Sequence, residues 1–207
     1  MSAWLVAVLG GLLVLEAMAA LAWLSAAPRA GRGYWPFALW LSLSTATELS
    51  KFVLACYERP TMSLSVAYSS ASSILLLGIL HGWGAGFYSL AGGLILIGSI
   101  LANLCGVIPP PMTVALCSLA VLPAIMRVIA VSRATTTGTL SLSARGKMAL
   151  ATFFIFGPSV VCYPWFSSLH AYHDLALAFW TARMIFIALG YAIMIGVALS
   201  FHRLSYD

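Results

Sequence analysis

The sequence predicts an all-α polytopic membrane protein, a single domain of seven transmembrane helices with the N-terminus outside and the C-terminus cytoplasmic. Three observations carry this. Of 207 residues, 62% are hydrophobic and only 7% charged, whereas a soluble domain carries about 25% charge; too little polar surface exists to cover a globule in water. The apolar residues fall into runs near the roughly 20 residues needed to cross hydrocarbon, and runs shielded from water must satisfy their backbone as helices. The basic residues gather in the turns of one side, which sets orientation and leaves no reason to invoke nucleic acid for the net charge of +5.

The first span is expected from Ala3 to Ala26. Ser25-Ala26-Ala27 resembles a cleavage site, but no Lys or Arg precedes the run and it is too long for a secretory signal. Pro28 to Gly33 reads as a short basic turn. The second span, Trp35 to Cys56, carries Pro36 in its first turn, where proline is tolerated. Glu58-Arg59-Pro60 turns the chain into the third span, Met62 to His81. The Gly82 to Gly86 turn is short enough to demand an antiparallel neighbour. The fourth span, Phe87 to Ile108, is stopped by Pro109 to Pro111. The fifth is Met112 to Ser132, with a kink expected at Pro123. Arg133 to Gly146 is the longest connection. The sixth span, Lys147 to Leu169, is expected to break at Gly157-Pro158 and Tyr163-Pro164, and the seventh runs from Leu175 to Phe201. Arg32-Gly33 and Arg145-Gly146 precede the second and sixth spans alike, a faint echo of two three-helix units around a linker helix.

With seven spans, Arg29, Arg32, Arg133, Arg145, Lys147 and Arg203 share one side, and Arg59 stands alone on the other. Lys and Arg mark the cytoplasmic side. Arg127, near the inner end of its helix, can snorkel toward the same surface.

Inside this apolar chain the polar residues are informative. Ser44, Thr47, Glu48 and Lys51 recur at spacings of three and four, which puts them on one stripe of the second helix. A charge at membrane depth costs roughly 3 kcal/mol on insertion scales, so this stripe is expected to face the bundle interior. Tracing each helix by its direction places Glu48, Lys51, Ser65, Tyr68, Ser69, Ser72, Asn103, Ser159, Tyr163, Trp180 and Arg183 all in the outer half. The expected ligand-binding set is Glu48, Lys51, Ser65, Tyr68, Ser69, Asn103, Tyr163, Trp180 and Arg183. Two cations beside one carboxylate favour an anionic or carbonyl-bearing ligand. The competing reading is a structural network, in which Glu48 and Lys51 pair along their own helix and the serines pack helices together. Glu16, alone near the middle of the first span, is the expected proton-coupling residue, against a simple interhelical hydrogen bond.

Other chemistries fit poorly. The cysteines, Cys56, Cys105, Cys117 and Cys162, form no CxxC pair. Cys56, Cys105 and Cys162 fall near one side, where a disulfide competes with buried free thiols. His170, His173 and Asp174 form HAYHD, a thin candidate for a metal without a cysteine partner, and no metal or other cofactor is expected. His81 and His202 lie at inner helix ends, where a bis-histidine haem is the alternative to ordinary interfacial residues. GxSxG, HExxH and paired aspartates are absent, and a Ser65 or Ser69 dyad with Lys51 is the sole nucleophilic arrangement to weigh. In outline the chain resembles a retinal protein, with Tyr163-Pro164-Trp165 in the sixth span. Its lysines are Lys51 and Lys147, however, and the seventh span offers only Arg183, which cannot form a Schiff base.

The expected function is therefore binding, and transport, of a small anionic solute through an outer-half polar pocket in an inner or plasma membrane. The alternative is a non-catalytic sensor or accessory subunit of a larger membrane complex. The expected partners are the lipid bilayer, a small-molecule ligand, and a partner membrane protein or further copies of the chain.

Overall fold

The helices are packed side by side, and the computed structural model describes residues 3–57, 59–134, 143–166 and 173–203. Among them are α1 (Ala3–Ala30), α2 (Trp35–Cys56), α3 (Met62–Leu80), α4 (Phe87–Leu104), α5 (Pro110–Ala134), α6 (Ala144–Phe166) and α7 (His173–Arg203). No strand occurs among the described residues. Six helices, all but α2, are long and apolar enough to cross a membrane. α2 has the length, 22 residues, but Glu48, Lys51 and its serines and threonines dilute its hydropathy.

Several helix ends differ from the sequence expectation. α1 runs through Pro28 to Ala30, because a proline deletes only its own backbone N–H bond. The helix stops instead at Gly31, where φ is 101°, a conformation open chiefly to glycine. α6 likewise continues through Pro158 and Pro164, and the expected breaks are absent. α4 ends at Leu104, before the prolines. Gly106, at φ 72°, donates to the Asn103 carbonyl at 2.9 Å and Val107 donates to that of Ala102 at 2.8 Å; this double closure is a Schellman cap. Pro110 and Pro111 then open α5, where a missing N–H costs nothing. Between α3 and α4 the chain takes a π-type turn, His81–Ala85, broken at Gly84 with φ 100°.

Helix contacts define a ring: α1 packs on α2, α2 on α3, α3 on α5, α5 on α6, α6 on α7, and α7 on α1. α4, which separates the first three helices from the last three, packs outside this ring against α3 and α5. Its Leu90, Leu94, Ile97 and Leu101 are exposed, as a helix facing lipid requires. α4 approaches α5 closely at Gly92, where a Cβ would meet the Ala120 carbonyl oxygen at 2.2 Å. The matching point between α7 and α6 is Gly190, whose added Cβ would lie 2.8 Å from the Ala151 oxygen. Such small residues let helices pack where lipid supplies no hydrophobic drive.

The two ends of the ring differ in chemistry. Where α1 finishes, aromatic side chains fill the interior. Trp23 stacks on Tyr34 with centroids 5.5 Å apart, Phe37 stacks on Trp83 at 5.8 Å, and Phe37 meets Trp40 at 5.1 Å. Phe201 of α7 touches both Trp23 and Tyr34, and the Trp23 indole donates to the Met194 carbonyl at 3.0 Å. Trp23, Phe37, Trp40 and Leu41 are wholly buried. This end is a solid plug. At the other end, where α1 begins, the ring encloses a cavity.

Candidate functional site

α2 is built inside out. Its exposed side carries Leu39, Leu43, Leu49 and Val53, while Ser44, Glu48 and Lys51 turn toward the ring interior and line the cavity. The helical period puts those polar residues on one face; the penalty for charge in hydrocarbon decides which way that face turns.

The cavity has a volume of about 280 Å³ and takes its walls from α1, α2, α3, α5, α6 and α7. It brings together Glu16, Glu48, Lys51, Ser65, Tyr68, Ser69, Tyr163, Trp180 and Arg183. Asn103 is the exception. It sits on α4, outside the ring, and its side-chain amide donates to the Ile108 carbonyl at 3.2 Å, so it reinforces the α4 cap rather than facing the cavity. The rest of the wall is largely apolar, with Leu9, Leu12 and Leu13 on α1 and Ile155 and Phe156 on α6 among its members. Phe156 also packs on Trp40, so the floor of the cavity rests on the aromatic plug.

The charged groups are arranged unequally. Lys51 pairs with Glu48 one helical turn away, and their side chains are 17% and 37% exposed. The Lys51 ammonium also stands 5.5 Å from the centre of the Tyr68 ring. Arg183 has no carboxylate within ion-pair distance among the described residues. Its guanidinium lies 5.3 Å from the centre of the Tyr163 ring, and its Nε is buried without a hydrogen-bond partner among the described residues. A cation over an aromatic face is held by the ring quadrupole, and the in-plane Nε–H is left to bind an acceptor.

Deeper in the cavity lies a chain of hydrogen bonds. Glu16, 3% exposed, bonds the Ser44 hydroxyl, and the Tyr191 phenol lines the same cavity. Ser44 Oγ is 2.6 Å from Tyr68 Oη, and one turn further along α3 Ser72 Oγ accepts from Trp40 Nε1 at 2.6 Å. Glu16 is therefore joined to the same cavity as Glu48 and Lys51, not isolated along its helix. Tyr191 was not among the residues expected from sequence. Stepping from Trp180 and Arg183 by helical turns through Met184 and Ile187 reaches it, and that period was the available signal.

The remaining candidates lie elsewhere. All four cysteines are free, with Cys56 and Cys105 exposed and Cys117 and Cys162 buried. His170 and the side chains of His173, Asp174 and His202 lie outside the described residues. No cluster of three or more potential metal ligands occurs among the described residues. A Ser-Lys dyad is not formed: no hydrogen bond joins Lys51 to Ser65 or Ser69 among the described residues, and Lys51 faces Glu48 and Tyr68 instead.

With this geometry in hand, comparison with protein-family models, curated proteins and solved structures yields no match.

Proposed function

We propose that the chain is a seven-span carrier of the inner or plasma membrane, with the cavity opening outward, that binds a small anion and moves it across the bilayer. The exposed leucines and Val53 of α2 support counting α2 as a seventh span, since a soluble-facing helix would present its charges instead. The cavity lies at the end opposite Arg29, Arg32, Arg133, Arg145 and Lys147, which by the positive-inside rule supports an outward-facing cavity.

The observation that carries the anion reading is Arg183. A buried donor left without an acceptor costs about 1–3 kcal/mol, more when charged. A carboxylate or phosphate oxygen in the cavity removes that cost with a charge-assisted bond. The volume suits a small solute, near the lower end of small-molecule sites, and the apolar wall of α1 and α6 suits an anion with an apolar body. The aromatic plug closes the route to the other side, so delivery requires the plug to part, as alternating access demands.

The test is uptake of radiolabelled benzoate, lactate and inorganic phosphate into proteoliposomes containing only this chain. Saturable uptake of at least one, lost in Arg183→Gln, is expected. No uptake by the wild-type chain, together with a stoichiometric membrane partner retained in mild detergent, would replace the carrier with an accessory subunit.

A further inference from the structure

Among the described residues, the carboxylates and cations lining the cavity are Glu16, Glu48, Lys51 and Arg183. With every one ionised, two negative charges face two positive ones, and the cavity is neutral. A monoanion entering that lining would leave one uncompensated negative charge among leucines and aromatic rings, where unpaired charge is costly. One proton on a carboxylate restores neutrality.

The structure distinguishes the two carboxyls. Glu48 is paired with Lys51 and is 37% exposed, so its charge is already compensated and hydrated. Glu16 is 3% exposed and is bonded by the Ser44 hydroxyl, with no cation in ion-pair distance among the described residues. The groups that face it are Ser44, Glu48 and Lys51 from α2, Tyr68 from α3, and Tyr191 from α7, with Tyr163 of α6 and Arg183 of α7 across the same cavity.

The bonds around Glu16 also serve both of its protonation states. Ser and Tyr hydroxyls each donate one hydrogen bond and accept others. With the carboxylate, Tyr68 donates to Ser44 and Ser44 donates to Glu16. With the carboxylic acid the direction reverses: Glu16 donates to Ser44 and Ser44 donates to Tyr68. The reversal turns hydroxyl rotors and moves no heavy atom. An ammonium or guanidinium in place of these hydroxyls would favour the carboxylate alone.

We infer that Glu16 takes up one proton for each monoanion that enters the cavity, so that anion and proton bind together as a neutral pair. The proton comes from water, adds to a carboxylate oxygen of Glu16, and leaves when the anion leaves. This rests on the anion-binding reading above and adds its coupling: carriage of the pair is electroneutral, driven by a pH gradient and indifferent to membrane potential. The linkage is reciprocal, since anything that makes the cavity more negative makes Glu16 bind its proton more tightly.

Two measurements on the full chain in lipid nanodiscs test this. The first needs no ligand. Removing a cation by Arg183→Met should drive Glu16 to its acid form, seen as a gain in the protonated-carboxyl stretch by infrared difference spectroscopy at constant pH. Lys51→Met, which removes the other cation, should give the same gain, and adding Glu16→Gln to either variant should abolish it. An unchanged carboxyl stretch in both single variants overturns the inference. The second is calorimetric titration with benzoate across a pH series. Wild-type affinity should fall about tenfold per pH unit once Glu16 is ionised, and Glu16→Gln should hold the low-pH affinity at every pH. An equal pH dependence in Glu16→Gln also overturns it. If the infrared result holds but neither benzoate, lactate nor phosphate binds at any pH, the anion reading falls while the charge linkage at Glu16 stands.

Discussion

Ser44→Ala probes the link between Glu16 and the rest of the cavity. Ser44 is 1% exposed, and its hydroxyl bonds both Glu16 and Tyr68. A hydrogen bond to a charged group contributes about 1.5–3 kcal/mol and a neutral one about 0.5–1.5. Ser44→Ala removes one bond from each partner, and a loss of about 2 kcal/mol is expected. For a chain of this length that lowers the melting temperature by about 4–8 °C. Ser42 and Ser50 are controls on the same helix, because their hydroxyls only donate back to the carbonyls of Ala38 and Ala46 at 2.9 and 2.8 Å. Ser42→Ala and Ser50→Ala should stay within about 0.5 kcal/mol of wild type, and Ser44→Thr, which keeps the hydroxyl, should recover part of the loss. The assay is thermal unfolding followed by a thiol-reactive dye in a background where Cys56 and Cys105, both exposed, are replaced by serine. The buried Cys117 and Cys162 then report opening of the bundle. A Ser44→Ala protein as stable as the two controls would refute the claim that this hydroxyl joins α1, α2 and α3.

Other consequences follow from the packing. Gly92→Ala and Gly190→Ala each force a Cβ against a neighbouring helix backbone and should cost about 1–3 kcal/mol. Gly98→Ala and Gly196→Ala, where nothing lies within 4 Å, should be neutral or stabilising by up to about 1 kcal/mol, and the same thiol assay ranks all four. Gly84→Ala, at φ 100°, should lose about 1–3 kcal/mol through backbone strain although no atom blocks its side chain. For orientation, a membrane-impermeant maleimide added to intact cells should label Cys56 and Cys105 and spare Cys117 and Cys162. Labelling of Cys56 and Cys105 only after permeabilisation would reverse the proposed topology.

Depth along a helix is a one-dimensional quantity, and it can be read from sequence. Counting along alternating spans placed Glu48, Ser69, Tyr163 and Arg183 at one level, and they do line one cavity. Angle around the bundle is not readable in the same way. Asn103 has the right depth but belongs to α4, which packs outside the ring, and nothing in its own sequence neighbourhood announces that. The exclusion of α4 depends on where α5 meets α3 and on the close approach at Gly92, both products of packing. Helix ends were also partly hidden. Pro28, Pro158 and Pro164 suggest breaks, but where the rest of the ladder is intact each removes a single backbone bond, and in an apolar setting the remaining backbone groups gain by staying helical. Gly31 and Gly106, with φ of 101° and 72°, are the real stops, and they were the better signal. Tyr191 was missed because an isolated phenol in an apolar run looks like core until its turn-by-turn relation to Arg183 is followed.

The distribution of side chains along the helices bears on whether the polar residues are merely structural. A buried ion pair is a poor source of stability, since apolar residues of similar volume often do as well or better. A scaffold with no ligand would gain by continuing the aromatic plug through both halves of the ring. Instead the plug stops at the layer of Trp40 and Phe156, and beyond it four ionisable residues from α1, α2 and α7 converge on open space. Arg183 is the least economical of them, with its guanidinium resting on Tyr163 and its Nε unused. α2 also carries its charges at the cost of falling short of the apolarity the other six helices reach, and it contacts only α1 and α3 and the short turn before it among the principal packings. Its polar face thus meets α1 and α3 at Ser44 and opens onto the cavity at Glu48 and Lys51. A closed barrier at one end and a charge-balanced cavity at the other are the two parts the proposed carrier needs, and a structural network of hydroxyls requires neither.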